Sequence, residues 1–151
     1  ILLEVQALVA EANYATAQRN INGLDFKRLS MILAVLEKRL GFFMAKKDVF
    51  VNMVGGLKID DPAVDLAVIG AIASSLKEKA LNKSMAVFGE VGLGGEVRSV
   101  AKADNRINES VSLGFSQVII PKSNFNRIKT KKYNAEIIGV ANVGEALHYM
   151  Y

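Results

Sequence analysis

The sequence predicts an α+β domain in which a mixed sheet carries packed helices. Three observations lead there. Apolar residues alternate in some stretches and recur every three or four residues in others, the signatures of strand and helix. The two patterns follow one another irregularly and include paired strands, which argues against a clean doubly wound sheet. Glycines and an Asp-Pro step fall where one pattern gives way to the next. The chain has 151 residues, 51% of them apolar and 23% charged, enough to bury one sizeable core and too apolar for disorder. No repeat, linker or low-complexity tract divides it, so residues 1–151 are expected to form a single domain.

Leu2 to Ala12 is rich in small and β-branched residues with partial alternation and reads as a strand, with Tyr14 to Asn20 as its hairpin partner. Gly23 breaks the chain. From Leu24 to Leu40, Phe26, Leu29, Leu33, Leu36 and Leu40 share one face of a helix, and Gly41 follows where a residue free to take positive φ is wanted. Asp48 to Val54 is a strand ended by Gly55-Gly56. Asp61-Pro62 announces a second helix, with Asp61 as cap and Pro62 in the first turn. Its body, Ala63 to Leu76, is apolar nearly all round and is expected to be buried. Ser84–Val91 and Glu96–Val100 read as two strands around Gly92, Gly94 and Gly95. A third helix spans Ala103 to Leu113 and stops at Gly114; Gln117–Ile120 and Ala135–Val140 are short strands. Asn142 and Glu145 form a capping-box-like start for a last helix.

Composition removes several chemistries. Without cysteine there are no disulfides, thiolate metal sites or Cys nucleophile, and the one histidine, His148, leaves little room for a Ser-His-Asp triad. The long apolar stretch from Pro62 to Leu76 is broken by Asp65, so no membrane span is expected. A cysteine-free chain fits a reducing cytoplasm. The net charge of +4 permits an anionic partner without demanding one. The chain starts at Ile1 and is expected to be a piece of a longer protein.

A phosphate-binding loop is absent, and the glycines from Gly89 to Gly95 do not fit a dinucleotide fingerprint, because Val97 stands where the third glycine belongs. They read as a hairpin that needs positive φ. Asp60 and Asp61 precede a helix, where capping explains them. A Ser-Lys pair would need no histidine, but composition does not choose among the serines.

The segment Gly-Glu-Val-Gly-Leu-Gly-Gly-Glu-Val-Arg, residues 89–98, resembles the Gly-Glu-x-x-Leu-x-Gly-x-Val segment of Lon protease domains. Leu-Gly-Phe at 113–115 and Ile-Ile-Pro-Lys-Ser-Asn at 119–124 continue it. The blocks at 2–9, 25–29, 33–39, 48–59 and 61–67 are similar to the C-terminal domain of the RadA (Sms) family. The resemblance covers nearly the whole chain and implies a Lon-like α+β domain. It also implies lost peptidase chemistry. Proteolytic Lon domains carry their serine in Lys-Asp-Gly-Pro-Ser-Ala-Gly; here Ala63 takes the serine's place, and ungapped counting puts Asp104 at the dyad lysine, with Lys102 two residues away.

The RadA resemblance further implies a zinc-binding segment and a RecA-like ATPase upstream. Zinc, ATP and magnesium are accordingly expected there, with no cofactor or metal in this piece. It implies recombinational repair by a ring-shaped branch-migration motor, self-association as a hexamer, single-stranded or branched DNA as partner, and a RecA-type recombinase as a further candidate partner. The residues offer DNA contacts of their own. Lys27-Arg28 and Lys38-Arg39 are 11 residues apart, about three helical turns and roughly 16 Å, hence on one side of the helix. Arg28 and Arg39 share that helix side, Lys58 and Arg98 fall inside the blocks most similar to the RadA family, and arginine holds phosphate in a fixed fork; these four, helped by Arg106, are expected to contact DNA more than the lysines from Lys129 to Lys132. Phe125 and Tyr133 are interleaved with basic residues, as in single-strand binders. Two alternatives stay open: a residual Ser-Lys peptidase of Lon type, and an oligomerisation module without DNA contact.

Overall fold

The computed structural model describes residues 2–55 and 58–151; the expected role of Gly56 lies outside them. Eight strands and five helices are described. The first sheet holds β1 (Val5–Glu11), β2 (Arg19–Asn22) and β3 (Lys47–Met53) in the order β1-β3-β2. β3 pairs antiparallel with β1 and parallel with β2. The expected hairpin between the first two strands is therefore corrected. The chain leaves β2, crosses through α1 (Phe26–Leu40) and inserts β3 between the two earlier strands. The alternation of β1 turns Val5, Ala7 and Val9 onto the core and leaves Leu8 59% exposed.

α1 buries Leu29, Leu33 and Leu36 as its spacing predicts, whereas Phe26 is 52% exposed. One apolar residue in the first turn thus lies outside the buried stripe. Gly41 takes φ 71° and its N–H reaches Glu37 O, while the Phe42 N–H reaches Leu36 O, closing the helix end. Asp61 Oδ1 accepts the Ala63 N–H at 3.0 Å and starts a 3-10 turn, Pro62–Val64, that runs into α2 (Asp65–Lys77). From Asp65 to Ala73 only Ala67 escapes full burial. α2 lies between the first sheet and α5 (Val143–Met150).

The second sheet is parallel, β4 (Met85–Val87), β7 (Gln117–Pro121) and β8 (Glu136–Val140) in the order β4-β7-β8. Ile119 belongs to the main core, while Val118 and Ile120 face a second cluster with Ala103, Ile107 and Ile128. Both faces are covered, which is why this strand reads Val-Ile-Ile without alternation. Two expectations change here. The strand expected over 84–91 is split, because Gly89 turns the chain between β4 and β5 (Glu90–Val91), and a Cβ there would come within 2.9 Å of Val97 Cγ1. The basic stretch after Pro121 begins with α4 (Lys122–Ile128). β5 forms an antiparallel hairpin with β6 (Val97–Arg98), followed by α3 (Ala103–Ser112), with Gly114 at φ 95° beyond it.

Candidate nucleic-acid interface

Arg28 and Arg39 meet the same neighbour. From the first turn of α1, Arg28 reaches Asp65 with two donors, Nε to Oδ1 at 2.6 Å and the terminal nitrogen to Oδ2, and comes within 4.0 Å of Glu90 in β5. From the last turn, Arg39 Nε donates to Leu93 O at 3.1 Å, in the loop joining β5 and β6. Arg98 stands opposite Glu90 in that hairpin and binds Glu96 Oε2 through Nε at 3.2 Å and a terminal nitrogen at 3.0 Å. The helical rotation that puts residues 28 and 39 on one side thus directs both toward one hairpin.

Their states differ. Asp65 is fully buried, and its carboxylate also accepts the Val91 N–H at 3.0 Å. The hydrogen bond that Arg28 donates to Asp65 raises the Arg28 pKa further, against the opposing effect of burial. Arg28, expected to contact DNA, has its fork engaged with Asp65 and its side chain 29% exposed. Arg39 and Lys58 are exposed, and the Arg98 side chain is 58% exposed. The Ile59 N–H donates to Gly23 O at 2.7 Å, which sets the segment after Lys58 beside the start of α1.

Arg106 belongs to a different junction. It donates to Asp61 Oδ2 and to Ala101 O, both at 2.9 Å, and stands 5.8 Å above the Phe88 ring. Burial pushes the Asp61 carboxyl up, but the Ala63 N–H and Arg106 outweigh it and hold it below its usual value. Ala63 is 3% exposed, its methyl in the cluster of Ala103, Ile107 and Phe88. Asp104 accepts from the Tyr133 hydroxyl, and Lys131 Nζ lies 3.5 Å away. Tyr133 first, then Lys131, hold this carboxylate below its usual range. Burial, then Asp104, push the Tyr133 hydroxyl up to about 12. Lys102 is exposed at φ 59°, just before α3.

Asn124, from the Ile-Ile-Pro-Lys-Ser-Asn stretch, accepts the Val100 N–H at 2.9 Å and donates to Val100 O at 3.1 Å, tying α4 to the segment between β6 and α3. Among the described residues no group of three or more His, Cys, Asp or Glu is arranged to hold a metal, and no helix is long and apolar enough to cross a membrane. Glu96 and Leu93 are not among the site residues expected from the sequence. Their only signal is an acid and a leucine set among glycines, which does not reveal that the acid folds back on the turn.

Residues 24–124 match the family described as subunit ChlI of Mg-chelatase. Over its whole length the chain is 45% identical across 151 residues to the DNA repair protein RadA of Streptococcus pyogenes, covering 33% of that protein. The RadA protein of Bacillus subtilis is 44% identical over 147 residues, 97% of this chain and 32% of its own length. That of Streptococcus pneumoniae is 44% identical over 151 residues, 36% of its length. The chain spans about a third of the length of the curated relatives it matches.

Proposed function

The chain belongs to the family described as subunit ChlI of Mg-chelatase, and from that membership and the RadA likeness we propose that it is the non-proteolytic Lon-like domain of a bacterial, cytoplasmic DNA repair protein. In this role it contributes DNA contact and hexameric ring scaffolding to an ATP-dependent branch-migration motor acting on single-stranded or branched DNA, with a RecA-type recombinase as a candidate partner. The observation that carries the reading is identity of 45% across all 151 residues to a protein named for DNA repair.

The geometry supports an interface in which Arg39, Lys58 and Arg98 hold phosphates. Arg28 and Arg106 act beside them as positioning residues, because each grips a carboxylate from a side chain only 29% and 31% exposed, whereas Arg98 pairs with Glu96 at 58% exposure and keeps an open face. Lack of peptidase activity is supported by Ala63, whose packed methyl offers no nucleophile, and by Asp104, a carboxylate engaged with Tyr133 and Lys131. Ring scaffolding is supported by the outer face of the first sheet. It is a shallow groove of about 420 Å³ lined by Gln6, Leu8, Asn20, Asn22, Phe50 and Asn52, with no charged side chain in the lining.

A salt titration with labelled single-stranded and forked DNA tests the reading. The affinity should fall linearly on logarithmic axes as salt rises. Arg39→Ala with Arg98→Ala should weaken binding and reduce the slope by about 1.4 for single strands, two contacts' worth. Affinity that is absent or indifferent to salt would leave an oligomerisation module without DNA contact.

A further inference from the structure

The β5–β6 hairpin presents one side chain outward from a turn braced on every other side. The Gly92 N–H donates to Glu96 O at 3.0 Å and the Gly95 N–H to Gly92 O at 2.9 Å, with Gly95 at φ 80°. This is the three-residue hairpin in which a left-handed glycine closes the turn. The Glu96 carboxylate folds back and accepts the Gly94 N–H at 3.0 Å. Its oxygens occupy the room beside the backbone, since a Cβ on Gly92 would come within 2.3 Å of Oε2. Arg98 holds the same carboxylate in place. The Arg39 stem lies against Gly95, 3.3 Å from where a Cβ would stand, while its Nε holds Leu93 O. Behind the turn, the Val97 N–H bonds Ala141 O and the Val143 N–H bonds Gly95 O, both at 2.9 Å.

From this rigid base Leu93 projects 67% exposed, whereas the flanking Val91 and Val97 are 2% and 7% exposed. A leucine fixed in water gains from meeting an apolar surface. The two arginines at its base outnumber the one carboxylate, Glu96, and the net positive charge favours a partner that combines apolar surface with negative charge. A base step in DNA has both: flat base faces inside and phosphates outside. Apolar side chains, leucine among them, enter such steps as wedges that unstack the bases.

We propose that Leu93 is a wedge that enters between bases where single-stranded DNA meets duplex, with Arg39 and Arg98 holding the phosphates on either side. The proposal rests on the DNA-binding reading above and names the kind of DNA that site prefers. The hairpin needs no movement to act, because Glu96, Arg39 and the start of α5 already hold it.

The test uses forked DNA carrying 2-aminopurine at the junction, whose fluorescence rises when its stacking is lost. The parent chain should brighten the probe. Leu93→Ser should abolish the brightening and weaken fork binding about tenfold, while leaving affinity for plain single strands within about twofold, since the phosphate contacts remain. Leu93→Met should keep both signals. If Leu93→Ser brightens the probe as the parent does, the wedge is wrong while DNA binding stands. If Leu93→Ser leaves fork binding intact and instead disrupts self-association in sedimentation, the tip is a protein contact and the wedge is again wrong. If the parent binds no DNA, the reading beneath it fails first.

Discussion

Asp65 is buried on a helix whose body is apolar, and it remains tolerable there because Arg28 and the Val91 N–H both reach it. Arg28→Ala would strand a carboxylate in the core. The expected loss is about 3 kcal/mol, the low end for a broken buried pair, because the Arg28 side chain is itself 29% exposed. It should appear as a lower urea midpoint at unchanged m-value; a shift below about 1 kcal/mol would show that the pair does not join α1 to α2. Weakened DNA binding in this variant must be read beside its stability, whereas Arg39→Ala breaks no ion pair among the described residues.

A second residue-scale prediction concerns Tyr133 and Asp104. The hydroxyl's folded value of about 12 lies above the unfolded value of 10.0. Its contribution to stability is therefore complete below pH 10 and is lost as pH rises toward 12. Asp104 is lowered, so its contribution is present above its ordinary value of 3.8 and is lost as pH falls through the lower folded value. Tyr133→Phe should flatten the alkaline loss in urea midpoints measured from pH 9 to 12. An unchanged alkaline profile would assign that loss to other groups, Tyr151 first, since burial raises it too.

At the scale of elements, two glycines mark where helices lie closest. In β8, a Cβ on Gly139 would stand 2.7 Å from Phe125 Cβ, an atom fixed to the α4 backbone. In α2, a Cβ on Gly70 would meet Met150 Cε at 2.0 Å, at the end of a flexible side chain. Gly139→Ala must displace a whole helix and should cost about 2 kcal/mol. Gly70→Ala should cost less, because Met150 can swing aside and alanine gains up to about 1 kcal/mol of helix propensity. Thermal melts of the two variants should rank them so; the reverse order would mean that Met150 is the less movable partner.

Helix ends are local matters, and the sequence shows them well. Asp61-Pro62, Gly41 and the Asn142…Glu145 pair all cap as their types predict, although Glu145 accepts from the Ala141 N–H, one residue earlier than expected. Strand partners are remote matters, and the expected β1–β2 hairpin does not form because the true partner of both strands lies beyond α1. α4 was hidden by charge, since Lys122–Ile128 carries few apolar residues and covers the sheet mainly through Phe125 and Ile128. The candidate interface divides in the same way. That residues 28 and 39 share a helix side follows from rotation alone. That Asp65, 37 residues away, captures Arg28 does not.

Taken as a whole, the molecule joins two cores through the parallel sheet, with the arginine-ringed hairpin and the neutral sheet face on different elements. The DNA contact and the ring scaffolding proposed for this domain therefore draw on separate surfaces. The strand order also has a consequence during synthesis. Among the described strands β1 pairs with β3 alone, with Glu11 opposite Lys47 and Val5 opposite Met53. At roughly 5–20 residues per second a ribosome takes about 2–8 s to supply that partner. Through that interval the nascent chain carries an apolar strand with both edges open, the form most prone to pair with a neighbouring nascent chain.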